Sequence, residues 1–115
     1  MTGIDVIFIH ASLEGSNFND SNFQESNFDE AKLDKCTFVN SNFKLVSFRK
    51  ISGRECDFTK SKLAMTNFKS ADLYKSNFTD CDLQHTILDD SLCYETNFSN
   101  ADLRWASINN ASGIS

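Results

Sequence analysis

Apolar residues recur along this chain at every fifth position. From Phe8 the series runs Leu13, Phe18, Phe23, Phe28, Leu33, Phe38, Phe43, Phe48, Gly53, Phe58, Leu63, Phe68, Leu73, Phe78, Leu83, Leu88, Cys93, Phe98, Leu103, Ile108 and Gly113, and it takes in all eleven Phe residues. Two positions before each of these stands a small or β-branched residue, from Val6, Ala11 and Ser16 through to Ala101, Ala106 and Ala111. The position between the two is Asn or Asp in eleven of the 22 pentads, as at Asn17, Asn22, Asn27, Asp57, Asp72 and Asp102. A period of five fits neither the 3.6 of an amphipathic helix nor the unbroken 2 of a long strand. Within a pentad, however, the small and the large residue are two apart, so a short extended segment points both to one side. The other two residues must then turn the chain. Repetition of that unit builds a coil with its small and large residues facing the axis and with backbone hydrogen bonds between successive coils about 4.8 Å apart.

On these residues the chain resembles the pentapeptide-repeat family, whose motif is A(D/N)Lxx, here Ala71-Asp72-Leu73, Ala101-Asp102-Leu103 and Ser76-Asn77-Phe78. The resemblance implies an all-β fold, a right-handed quadrilateral parallel β-helix with four pentads per coil. The 22 pentads then make about five and a half coils and a rod about 26 Å long. A single domain spans 1–115, with repeats from about 6 to 115, no loop to interrupt them, and residues 1–5 as an N-terminal lead-in.

Four pentads per coil stack residues 20 apart. One face then carries Phe18, Phe38, Phe58, Phe78 and Phe98, a second Phe8, Phe28, Phe48, Phe68, Leu88 and Ile108, and a third Phe23, Phe43, Leu63, Leu83 and Leu103. The fourth, with Leu13, Leu33, Gly53, Leu73, Cys93 and Gly113, lacks a large side chain at Gly53, and Ile51 in the neighbouring small slot is expected to compensate. On the outside, Lys35, Glu55, Lys75 and Glu95 alternate in sign along one edge, and Tyr74 and Tyr94 share a column.

Composition narrows the function. Sixteen Asp and Glu against eleven Lys and Arg give a net charge of −5. That balance argues against direct nucleic-acid binding, which needs clustered cations to displace counterions. The longest apolar run, Val6 to Ile9, is far short of the roughly 20 residues that span a bilayer, so no membrane segment is expected. Met1 to Asp5 lacks the basic start of a secretory signal, and a cytoplasmic location is the default expectation. Cys36, Cys56, Cys81 and Cys93 match no zinc or redox spacing and all fall on inward positions. Stacking permits a Cys36–Cys56 disulfide, but reduced thiols that serve as small apolar residues are the expectation. His10 and His85 face outward on different sides with no nucleophile beside them. Neither a phosphate loop nor a metal set nor a converging triad is present, so no enzyme activity and no cofactor are expected.

Two surface features remain. The first is charge segregation: residues 1–31 carry −6, residues 32–75 carry +6 and residues 76–115 carry −5. The candidate acidic surface comprises Asp20, Glu25, Asp29 and Glu30 at one end and Asp80, Asp82, Asp89, Asp90, Glu95 and Asp102 at the other. The second is an outward column of Glu25, Leu45, Met65, His85 and Trp105, of which Leu45, Met65 and Trp105 form a candidate apolar contact. A solenoid also shows a cross-section of its core at each end. Phe98, Leu103 and Ile108 are therefore a candidate surface for an end-to-end homodimer through the C-terminal coil.

Two kinds of function follow. The broader is a scaffold that binds a protein partner through the rod surface. The sharper is implied by the resemblance: some pentapeptide-repeat proteins mimic B-DNA and protect or inhibit DNA gyrase and topoisomerase IV, which gives quinolone resistance, and similar mimicry would suit a mobile-element protein that blocks a defence enzyme. The chain departs from the gyrase-protecting pattern in its shortness, in having no projecting loop or C-terminal dimerisation helix, and in its basic middle.

Overall fold

A computed structural model of the protein describes residues 2–114. Each pentad has one extended stretch and one turn. The turn runs from the large residue to the next small one: Ala11 N donates to Phe8 O at 3.0 Å, and Cys36 N to Leu33 O at 2.9 Å. Its third residue has a positive φ, as a type II turn requires. Every fifth residue from Asp5 to Asn110 adopts this conformation, with φ between 54° and 73°.

Successive coils pair in parallel. Nineteen bridges join residues 20 apart, from Thr2 with Asn22 to Leu92 with Ser112. The bonding repeats in each pentad: Phe8 N donates to Asn27 O, Asn27 N to Val6 O, and His10 N to Asp29 O, at 2.7, 2.9 and 3.0 Å. Four turns fall between bridged residues, so the coil has four sides. Among the described residues, however, the bridges are isolated and no continuous strand forms. Two of every five residues are committed to the turn, which leaves too short an extended segment for more than one bridge per side. Residues 2–5, expected as a lead-in, already follow the coil: Thr2 bridges Asn22, Gly3 N donates to Asn22 O, and Asp5 takes the positive-φ turn position.

The core is a set of stacked columns. On one face the ring centroids of Phe18, Phe38, Phe58, Phe78 and Phe98 are 5.2, 4.6, 4.8 and 5.4 Å apart with planes within 8°. Phe8, Phe28, Phe48 and Phe68 stack at 4.7, 5.3 and 4.9 Å. The two ladders meet edge to face, as between Phe58 and Phe68 at 87°. Both arrangements are those that aromatic quadrupoles favour. Ile51 fills the space at Gly53 as expected: a Cβ on Gly53 would lie 2.8 Å from Ile51 Cδ1.

Two kinds of side-chain bond lock the coils. Each of the eleven Asn and Asp residues in the central slot accepts a bond from the backbone N–H two residues on, at the start of the turn. These are Asx turns, and they account for the Asn/Asp consensus. Four turns are opened, and in each a serine hydroxyl from the next coil stands between the two backbone groups. Ser41 Oγ accepts from Ser21 N and donates to Phe18 O, and Ser61 does the same for Ser41 N and Phe38 O. Ser26 bridges Val6 N and Gly3 O, and Ser76 bridges Cys56 N and Gly53 O.

Candidate functional site

The outward column predicted at Leu45, Met65, His85 and Trp105 lies along one edge of the rod, at the positive-φ turn position in each of four successive coils. Trp105 is 66% exposed, Leu45 48% and Met65 47%. His85 completes the column by stacking on Trp105, ring centroids 5.0 Å apart and 13° from parallel. The Arg104 guanidinium lies 5.3 Å from the Trp105 ring centroid, and Asp102 holds it through bonds of 2.7 to 3.1 Å. Ile87, outward on the face that follows this edge, is 36% exposed. Leu, Met and Trp side chains at positive φ are uncommon, because a bulky residue there crowds the backbone.

The acidic residues separate into displayed and structural ones. Asp20, Glu25, Glu30, Asp80, Asp90 and Glu95 are exposed turn residues. Asp29, expected at the surface, is instead buried, at 6% exposure. Its Oδ1 accepts from the Ser47 hydroxyl and from Arg49 N, and its Oδ2 accepts from Arg49 Nε and Nη2 at 3.1 and 2.8 Å. Burial pushes this carboxyl up, but the bonds from Ser47 and Arg49 and the charge of Arg49 outweigh it and hold it below the ordinary 3.8. Asp89 plays a like part, accepting from Ser107 Oγ and Asn109 N. Asp34 does so for Ser52 Oγ and Arg54 N. In these three places a Ser occupies the Asn/Asp slot, and an aspartate 18 residues earlier supplies the missing acceptor. That 18-residue spacing is itself present in the sequence. Asp82 and Asp102 form Asx turns, and the Arg104 side chain also holds the Asp102 carboxyl low.

The basic middle is largely uncompensated. Of its ten cations only Arg49 and Arg54 have a carboxylate within 4 Å among the described residues, and the Arg54 contact with Asp72 is long, at 3.9 Å. The sign-alternating edge of Lys35, Glu55, Lys75 and Glu95 contains no ion pair. Tyr74 and Tyr94 share a column as expected, but it is Arg54 that packs over Tyr74, 4.7 Å from the ring centroid. Of the candidate end surface, Phe98 and Leu103 are half-buried and Ile108 is exposed.

The thiols are free and buried. Cys36, Cys56 and Cys81 donate to Leu13 O, Leu33 O and Phe58 O at 3.0, 2.9 and 2.8 Å. Burial pushes all four thiols up, Cys81 to about 12. His10 is exposed on another edge, 3.5 Å from Glu30. Among the described residues no three His, Cys, Asp or Glu side chains come together as a metal ion would need, and no helix is long and apolar enough to cross a membrane.

Comparison with known proteins agrees with this architecture. No curated protein sequence matches the chain. Among solved structures, HetL, a pentapeptide repeat protein involved in heterocyst differentiation regulation from the cyanobacterium Nostoc sp. strain PCC 7120, superposes with a TM-score of 0.79 at 17% identity. The match covers 94% of this chain and 60% of HetL. Rfr23, from the cyanobacterium Cyanothece 51142, gives 0.64 at 14% identity over 96% of this chain and 89% of its own. A structure of QnrB1, a plasmid-mediated fluoroquinolone resistance protein, gives 0.53 at 14% identity over 95% and 80%. At these identities the likeness is one of fold. The family of the pentapeptide repeat region matches residues 4–73, and that of pentapeptide repeats, in 8 copies, residues 76–112. With both matches in one unbroken register, the chain belongs to the pentapeptide-repeat proteins.

Proposed function

We propose that the chain is a non-catalytic interaction module: one right-handed four-sided β-helix over the described residues, of about five and a half coils, that binds a protein partner through its rod surface in the cytoplasm. The observation that carries this reading is the edge formed by Leu45, Met65, His85 and Trp105. A turn position favours small or polar residues, and here apolar and aromatic side chains are held outward in register on four coils. Apolar side chains aligned in this way over four coils are the usual mark of a contact surface. Buried free thiols are in keeping with a reducing compartment.

A second reading, mimicry of DNA toward a basic DNA-binding enzyme such as a type II topoisomerase, is favoured by the exposed carboxylates Asp20, Glu25, Glu30, Asp80, Asp90 and Glu95 at the two acidic ends. The belt of lysines between those ends, including Lys44, Lys50, Lys60 and Lys62, interrupts a phosphate-like track, so the first reading is preferred.

Capture from a host lysate on the immobilised full chain separates the two. The first reading predicts partners that a DNA duplex does not elute and that are lost with Trp105→Ala. Partners eluted by duplex, indifferent to Trp105→Ala and lost when Asp90 and Glu95 are reversed to Lys would replace it with mimicry. Partners affected by none of these changes would contradict both.

A further inference from the structure

The face between the apolar edge and the next edge differs from the other three. Its outward residues are Ile7, Asn27, Ser47, Asn67, Ile87 and Ser107, none of them charged. The other faces carry outward charges: Lys32 and Asp72 on one, Asp57 on another, Lys62, Asp82 and Asp102 on the last. On the far side of the uncharged face, the edge reads in successive coils Asp29-Glu30, Arg49-Lys50, Lys69-Ser70, Asp89-Asp90 and Asn109-Asn110. Asp29 and Arg49 neutralise each other, which leaves Glu30 as an anion in the first of these coils, Lys50 and Lys69 as cations in the next two, and Asp89 and Asp90 as anions one coil beyond Lys69.

This pattern is complementary to itself. Consider a two-fold axis lying in the plane of the uncharged face, perpendicular to the rod, between the coils of Asn67 and Ile87. It sets two rods antiparallel, apolar edge against apolar edge and charged edge against charged edge. Coil by coil, Met65 then faces the His85 position, Leu45 faces Trp105, Asn67 faces Ile87, and Lys69 faces Asp90. The pairs occur twice by symmetry, as an isologous contact demands. Lys50 meets the neutral Asn110 on this edge, and on the apolar edge Lys44 faces Arg104, whose charge the Asp102 carboxylate offsets at 2.7 Å.

We infer that a second copy of this chain covers the uncharged face and its flanking edges in a staggered antiparallel dimer. The inference rests on the reading of the Leu45–Trp105 edge as a contact site and names its partner. Four coils at about 4.8 Å, across a rod 20 to 22 Å wide, give an overlap on the order of 400 Å² per partner. That size belongs with weak, transient interfaces, and the dimer loosens as salt screens the Lys69–Asp90 pairs.

Sedimentation velocity of the full chain from low to high micromolar concentration tests this. The side chains of Lys69 and Asp90 are exposed and take no part in the hydrogen bonds that lock the coils, which these residues make through their backbone alone, and circular dichroism and melting of each variant confirm the fold. The wild type is expected to shift from monomer to dimer with rising concentration. Lys69→Glu and Asp90→Lys, taken singly, are expected to weaken the dimer at least tenfold, because each opposes like charges twice. Lys69→Glu together with Asp90→Lys restores it, because the pairs re-form with their signs exchanged. A monomer throughout, a double variant as weak as the single ones, or a dimer lost only with Ile108→Lys would overturn the proposal. A monomer whose capture of a partner still depends on Trp105 would discard the second copy and leave the functional reading of the edge standing.

Discussion

Serine 61 sits in a slot that the sequence marks only as small, yet its hydroxyl joins Ser41 N to Phe38 O across an opened turn. Both backbone groups belong to buried residues. Removing the hydroxyl leaves an N–H and a carbonyl without a partner, at a cost of about 1–3 kcal/mol. Ser61→Ala is therefore expected to lower the unfolding free energy in urea by that amount, whereas Ser16→Ala, whose side chain bridges no turn, leaves it nearly unchanged. Equal midpoints for the two variants would remove the bridging role. Asp29 makes a prediction with pH. Its carboxyl titrates lower in the folded chain than in the unfolded one, so its contribution is present above the ordinary carboxylate value of 3.8 and is lost as pH falls through the lower, folded value. Asp29→Asn should be less stable than the wild type at neutral pH, and the gap in melting temperature should close below about pH 3.8. A gap that stays constant into acid would contradict the assignment.

At the scale of the pentad, the Asn/Asp slot was plain in the sequence because all eleven members make the same bond two residues ahead. The opened turns were not plain: Ser16, Ser21 and Ser26 are the same residue in the same slot, and only the packing of the next coil decides which one is a bridge. The candidate acidic surface was misread at Asp29 for a related reason, since an aspartate in a turn looks exposed until the Ser 18 residues later is seen to lack an acceptor of its own. The pairing of Gly53 with Ile51, by contrast, was legible from the columns and can be tested as a unit. Gly53→Leu alone overfills the site against Ile51 Cδ1 and is expected to cost about 1–3 kcal/mol. Ile51→Ala alone opens a cavity and costs about 2–5 kcal/mol. The double variant should recover most of both losses in urea unfolding, and simple additivity would show that the two side chains do not share the space. The inward cysteines behave as core: with all four thiols buried and pushed up, a thiol reagent at mildly alkaline pH is expected to label none of them until denaturant is added. Rapid labelling of the native protein would place at least one thiol at the surface.

For the whole molecule, period and register determine nearly everything inside, and a few outward residues are left to carry function. The Phe ladders, the 20-residue bridges and the small-residue slots follow from the repeat and would serve any member of the family. What distinguishes this rod is outside: acidic ends, a lysine belt, one uncharged face and one apolar edge. That edge ends at the single Trp of the protein, two-thirds exposed and stacked on His85. The chain therefore contains its own reporter at the surface on which the account depends. The most direct test is Trp105 emission during titration with a captured partner under dilute conditions. The account predicts a saturable blue shift as the indole leaves water, with a midpoint equal to the binding constant measured independently. Binding that reaches saturation while the emission stays that of a solvent-exposed indole would contradict it.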